Sequence, residues 1–129
     1  MLISQKIKND KQDTLIEELL REKAAVLTRA GVAVENVLVR LMHIEHEIEE
    51  KMSLLNSLHD EKQSLSEAKQ KLIFEEINMN IDQFNAFRQK AQLQYYYLIV
   101  TREALGLRRH EMVQNIYRIP DKKPRLQAD

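Results

Sequence analysis

The chain has 129 residues, of which 43% are hydrophobic and 31% are charged, a composition that suits one globular domain with its own core. Its 20 basic and 20 acidic side chains balance, which argues against a general attraction to nucleic acid or to an anionic membrane. The absence of cysteine excludes disulfides, thiolate nucleophiles and cysteine-ligated zinc. With only two glycines and two prolines, we expect few long helices rather than a β-protein with many turns.

The first predicted helix begins near Thr14, because Thr14 followed by Glu17 fits a capping box. Apolar residues then recur at helical spacing, namely Leu15, Ile16, Leu19, Leu20, Val26 and Leu27. We expect this helix to end near Ala30–Gly31, since glycine tolerates the left-handed conformation that closes many helices. The pattern therefore predicts an additional N-terminal helix ahead of the rest of the fold.

A second helix follows Gly31, and its apolar residues are separated by steps of three and four, as in a helix that buries one stripe. They are Val34, Leu38, Leu41, Ile44, Ile48, Met52, Leu55 and Leu58. Lysines occupy the next heptad positions, and the apolar pattern then returns in a different phase at Ile77, Phe84, Ala91, Leu98, Leu105 and Met112. We therefore expect the chain to double back near Asp60–Ser66 into an antiparallel hairpin, with Asn78–Asp82 as the competing position for the reversal.

The third predicted helix runs to about Tyr117, weakened locally by Gly106 and ended by Ile119–Pro120, since the residue before proline avoids helical geometry. The predicted fold is all-α, an antiparallel hairpin of long helices with the additional N-terminal helix, as in a three-helix bundle or coiled coil. We predict one helical domain over residues 1–118 and a basic, flexible tail over residues 119–129.

The segment Tyr95–Val100 consists of six consecutive apolar or aromatic residues, which cover the full circumference of a helix. Either the third helix is flanked on several sides within the monomer, or part of this segment binds another protein or a second copy of the chain. For the second case we predict a binding surface away from the Phe84–Leu98–Met112 seam, formed by Tyr96, Tyr97, Val100, Leu107 and Val113.

Two other kinds of site have weaker support in the sequence. Basic residues toward the C-terminus predict, as an alternative, a surface for nucleic acid at Arg108, Arg109, Lys122 and Lys123. His43 and His46 lie three residues apart with glutamates one turn further on, and they are weak candidates for metal ligands; we expect a solvated charged face there, with no metal and no cofactor.

Catalysis has little support, because the chain lacks a phosphate-binding glycine loop and a strand-turn-helix context for a serine nucleophile. In length, helix content and lack of catalytic motifs, the chain resembles small bacterial flagellar and type III export chaperones and stalk proteins, which are helical and bind other proteins. That resemblance covers the overall pattern and implies no particular residue.

We therefore expect a cytoplasmic, non-enzymatic adaptor or chaperone-like protein that binds other proteins by helix packing. A homodimer is expected, as are protein partners whose identity the sequence does not indicate. No membrane insertion is expected, because the longest apolar run is far shorter than a transmembrane helix, and nucleic acid is not expected as the main partner.

Overall fold

The computed structural model describes residues 2–59 and 64–128, and within them every side chain except those of residues 2, 64 and 65. Three helices follow in order: α1 (Leu2–His59), α2 (Ser64–Ala104) and α3 (Glu111–Ile116). Residues 118–128, which we call the strap, follow α3 without helix or strand. The predicted all-α fold is confirmed. Nowhere in the described ranges does a helix combine the length and apolarity that crossing a membrane requires.

The core lies between α1 and α2, which run antiparallel. Its main cluster joins the two apolar seams, bringing Ile48 of α1 together with Phe84 of α2, as the predicted hairpin requires. A second cluster contains Val34, Leu98 and Val113. Because the second cluster joins a residue of α1 earlier than Ile48 to a residue of α2 later than Phe84, the two seams run in opposite directions.

The predicted reversal near Asp60–Ser66 falls largely on residues 60–63, which lie outside the described residues. On either side of them, the Leu58 carbonyl accepts hydrogen bonds from Ser66 Oγ at 2.9 Å and from Gln70 Nε2 at 2.6 Å. The competing reversal at Asn78–Asp82 is wrong, because α2 continues through these residues without a break. Asn78 is instead buried against the strap.

Helix α1 continues through Gly31, so the two helices predicted before the reversal form a single helix of 58 residues, about 87 Å long at 1.5 Å per residue. Gly31 is buried, and a Cβ atom placed there would lie 2.8 Å from Tyr117 Oη. The glycine serves the close approach of the tyrosine rather than a helix end. The sequence alone does not show whether a glycine permits a close contact or ends a helix.

Gly106 is the glycine that ends a helix. Its φ is +89°, the Gly106 N–H donates to the Glu103 carbonyl, and the Leu107 N–H donates to the Arg102 carbonyl at 2.9 Å. This pair of bonds is a Schellman motif. The third helix predicted to reach Tyr117 therefore ends at Ala104, and a turn separates it from the short α3, which covers the end of the hairpin through Val113.

The strap lies against the hairpin, in contrast to the flexible tail predicted for residues 119–129. Ile119 and Leu126 pack on the main core cluster. The Lys123 ammonium lies 3.1 Å from Glu45 Oε1 and 4.8 Å from the centroid of the Phe84 ring, so one side chain contacts both long helices. Arg88 Nε donates to the Pro120 carbonyl at 2.7 Å.

Two asparagines of α2 bind the strap backbone. Each side-chain amide pairs with both the N–H and the carbonyl of one strap residue, the same pair of hydrogen bonds that a neighbouring β-strand makes. Asn85 donates to the Lys123 carbonyl and accepts from the Lys123 N–H, and Asn78 does the same for Leu126, with distances of 2.7–3.1 Å. Seven helical residues span about 10.5 Å and three extended residues about 10 Å. The spacing of the asparagines therefore matches an extended strap.

We expect Gly106→Ala to lower the free energy of unfolding by about 1–2 kcal/mol, because an L-residue is strained at positive φ. Chemical denaturation followed by circular dichroism measures this. Ala104→Gly, in the last turn of α2, is a control for loss of helix propensity without a positive φ. Equal stability of Gly106→Ala and the wild type would contradict the Schellman assignment.

We expect the effect of Gly31→Ala to depend on Tyr117. In the wild type, the new methyl group must displace the tyrosine hydroxyl. In a Tyr117→Phe background the nearest ring carbon, at 3.8 Å, permits the methyl group, and the gain in helix propensity of about 1 kcal/mol is realised. A double-mutant cycle by chemical denaturation measures the coupling; additive effects would show that Tyr117 does not need the glycine.

We expect Asn78→Ala to release the C-terminal part of the strap at a cost of about 1–3 kcal/mol, because the partly buried N–H and carbonyl of Leu126 lose their partner. Hydrogen exchange at the Leu126 amide should accelerate strongly, while exchange of the Ile44 and Ile77 amides in the hairpin stays slow. Asn36→Ala, at an exposed position of α1, is the matched control. Unchanged exchange at Leu126 would contradict the assigned anchoring.

Candidate functional site

The apolar segment Tyr95–Val100 is divided between the core and the surface. Tyr95, Leu98 and Ile99 pack in the second core cluster. Tyr96, Tyr97 and Val100 point away from it, with 61%, 51% and 44% of their surface exposed. One side of the helix in this segment therefore belongs to the core, as the first predicted alternative requires. The other side is exposed, as the second alternative requires.

The exposed residues form a stripe, which we call the outer face of α2: Leu93, Tyr96, Tyr97 and Val100. Their spacing of three, four and seven residues places them on one side of a helix. At 100° per residue, this side is opposite the seam that contains Ala91 and Leu98. The Tyr96 and Tyr97 rings lie 6.0 Å apart between centroids, tilted by 54°.

The sequence prediction of the binding surface did not include Leu93, because Leu93 lies outside the continuous apolar run Tyr95–Val100. The spacing of Leu93 to Tyr96, Tyr97 and Val100 would have identified it. Exposed in 48% of its surface, Leu93 lengthens the outer face by one helical turn toward the middle of α2.

The other two residues predicted for protein binding have different positions. Leu107 is exposed just beyond the Schellman turn, at the same end of α2 as the outer face. Val113 is only 7% exposed and packs against Val34 and Leu98. The prediction of Val113 as a surface residue is therefore wrong, because α3 turns this side chain back onto the hairpin.

The turn next to the outer face is held by His110. Arg102 Nε donates to His110 Nδ1 at 3.2 Å, and Arg102 Nη2 donates to the Arg109 carbonyl at 2.8 Å. Because arginine is only a donor, Nδ1 accepts in this arrangement. The neutral ring then carries its proton on Nε2, which lies 3.1 Å from Glu103 Oε1. These contacts tie the turn after α2 to the last turn of the helix.

Two tyrosines near this end of the hairpin are structural. Among the described residues, Tyr95 Oη is buried without a hydrogen-bond partner. Tyr117 Oη donates to Glu35 Oε1 at 3.4 Å; burial, and then the charge and hydrogen bond of Glu35, raise the pKa of Tyr117 above its ordinary value. Tyr117 is therefore a neutral phenol at physiological pH, which suits packing against Gly31.

The four residues of the nucleic-acid alternative do not form one patch. Arg108 and Arg109 are exposed in the turn after α2. Lys122 is exposed on the strap, whereas Lys123 is bound to Glu45 and to the Phe84 ring. The strap pairs with α2 at Asn85, so about 26 Å of helix separates Lys123 from Arg102 and the turn beyond it.

The predicted metal candidates do not belong to a larger cluster of ligands among the described residues. His43 is exposed, and His46 Nε2 lies 3.0 Å from Glu50 Oε1 on the solvent side of α1. Within residues 2–59 and 64–128, no group of three or more histidine, aspartate or glutamate side chains is arranged to hold a metal ion.

Comparison of the chain with protein-family models, with curated proteins and with solved structures finds no match. The outer face of α2, with Leu107 beside it, is therefore the candidate site on the strength of its geometry alone.

Proposed function

We propose that this protein is a non-enzymatic, cytoplasmic interaction module of the adaptor or chaperone-like kind, and that it binds protein partners through the outer face of α2. The observation that carries the proposal is the exposed stripe of Leu93, Tyr96, Tyr97 and Val100 on a helix whose opposite side is already buried. A helix that is apolar on both sides needs a second partner or leaves apolar surface in water.

The chemistry of the outer face suits protein binding. Tyrosine contributes a large apolar area and a polar tip at a low cost in side-chain entropy, which is why it is frequent in interfaces. An amphipathic helix of a partner can pack its ridges between the two tyrosines and the flanking Leu93 and Val100. The rigid hairpin beneath the face holds these side chains in place before binding.

Association with nucleic acid has less support, because Lys123 is already paired and the remaining basic residues are dispersed. Retention on heparin as a function of salt measures this alternative: binding by phosphate contacts weakens steeply as salt rises.

We expect Tyr96→Glu combined with Val100→Glu to abolish partner binding without unfolding the chain, because both side chains are exposed and a buried, unpaired carboxylate in an interface is costly. Affinity capture from the native host, followed by quantitative mass spectrometry, measures the loss. A specific partner should fall at least about tenfold, equivalent to about 1.4 kcal/mol.

Val39→Glu is the matched control, since Val39 is 49% exposed but lies on α1, away from the outer face. Capture of the same partners by Val39→Glu and by the wild type is expected. If the Tyr96/Val100 variant also captures them undiminished, the outer face is not the binding surface.

A further inference from the structure

The strap lies in the groove between α1 and α2, where one row of polar side chains on α2 holds it. Asn78, Asp82, Asn85 and Arg88 are separated by steps of four, three and three residues, which place them on one side of the helix. Each of them contacts the strap, through hydrogen bonds to its backbone or, for Asp82, through an ion pair with Arg125 at 3.3 Å. This side of α2 is therefore suited to holding an extended chain.

Most of these hydrogen bonds go to the backbone of the strap. The two asparagines bind the N–H and the carbonyl of Lys123 and of Leu126, and Arg88 binds the carbonyl of Pro120. Backbone contacts of this kind give affinity without regard to side-chain identity, as when an extended peptide adds to the edge of a sheet. The groove therefore accepts any extended segment whose side chains fit it.

Few side chains of the strap enter the groove. Four are half-buried and the rest of residues 118–128 are exposed; the four are Ile119, Pro120, Lys123 and Leu126. The first and the last of them pack on the main core cluster. The Glu45 carboxylate and the face of the Phe84 ring receive the lysine ammonium between them, and both favour a cation. The groove therefore selects a basic segment with two apolar side chains seven positions apart.

The strap leaves space in the groove at both of its ends. A cavity of about 360 Å³ lies beside the start of the strap, and Met42 and Ile116 are among the residues that line it. A second cavity, of about 410 Å³, lies beside the other end, where Leu55, Phe74 and Gln127 are among the lining residues. A segment with larger apolar side chains at these places would bury more apolar surface than the strap buries, and would therefore bind more tightly.

We propose that this groove is a second binding site, which takes an extended basic segment of a partner protein, and that the strap occupies it as an intramolecular competitor. The segment has two apolar residues seven positions apart, a lysine four positions after the first of them, and a large apolar side chain directly after the second. The site is separate from the outer face of α2, so the proposal does not depend on the function proposed for that face.

Fluorescence anisotropy with a labelled synthetic peptide of strap residues 118–128 tests the proposal on the full chain. In the release variant, Lys123→Glu/Leu126→Asp, only strap side chains are changed and the groove is intact. This variant should bind the peptide at least about tenfold more tightly than the wild type, whose own strap competes at an effective concentration in the millimolar range. Circular dichroism checks that the helices are kept. A folded release variant that does not bind the peptide overturns the proposal.

Substitutions in the groove locate the binding. Adding Asn78→Ala and Asn85→Ala to the release variant should weaken peptide binding at least about tenfold, whereas adding Asn36→Ala, at an exposed position of α1, should not. A peptide with Lys123→Glu should bind weakly and should regain affinity for a release variant that also carries Glu45→Lys. Equal binding of both peptides by all these variants indicates non-specific adhesion and overturns the groove as the site.

A peptide with Gln127→Phe tests the competition between the strap and a partner's segment. It should bind the release variant about tenfold more tightly than the strap sequence does, because the phenyl ring fills the cavity beside Leu55 and Phe74. In the wild type, the same peptide at about 10 mM should displace the strap and accelerate hydrogen exchange at the Leu126 amide. Equal affinities of the two peptides, with unchanged exchange at Leu126, overturn the competition.

Analytical ultracentrifugation distinguishes a partner's segment from the strap of a second copy. Exchange of straps between two copies would make the wild type a dimer that the release variant converts to a monomer. That result overturns the assignment of the groove to a partner protein. The same oligomeric state in the wild type and the release variant is expected.

Discussion

The antiparallel packing of α2 on α1 is the contact on which every other feature depends. Its main cluster joins side chains such as Leu41, Ile44, Ile77 and Phe84, all but inaccessible to water. In proteins, most of the stability of a helix comes from packing its apolar stripe against another element rather than from helix propensity. The seam therefore orients α2, and with it the face that α2 leaves exposed.

A helix-ending turn and the strap complete the hairpin. The Schellman turn at Gly106 ends α2 and directs the chain to α3, which covers the second cluster with Val113. The strap then returns along the groove between the long helices, held by two asparagine side chains that replace a neighbouring strand. Because the asparagine amides bind backbone groups that are partly buried on the hairpin, the strap can be extended and still lie on the core.

Two apolar surfaces remain after the hairpin is complete, and they differ in origin. The outer face of α2 exists because this helix carries apolar residues around its whole circumference near Tyr95–Val100. Leu15, Ile16, Leu19 and Leu20 of α1 are exposed because α1 extends beyond the end of the element that packs against it.

The sequence by itself determined the helical class and the antiparallel hairpin, because apolar periodicity reports which side of a helix is buried. It left open whether the Tyr95–Val100 segment lies in the core or on the surface. It did not determine the roles of the glycines: Gly31 and Gly106 look alike in sequence, and only the position of Tyr117 and the φ of +89° at Gly106 distinguish a close contact from a helix end. The strap and the burial of Val113 were likewise decided by tertiary structure. They depend on contacts between residues far apart in the chain, such as Asn78 with Leu126 and Val34 with Val113. The spacing of apolar residues along one helix does not predict such contacts.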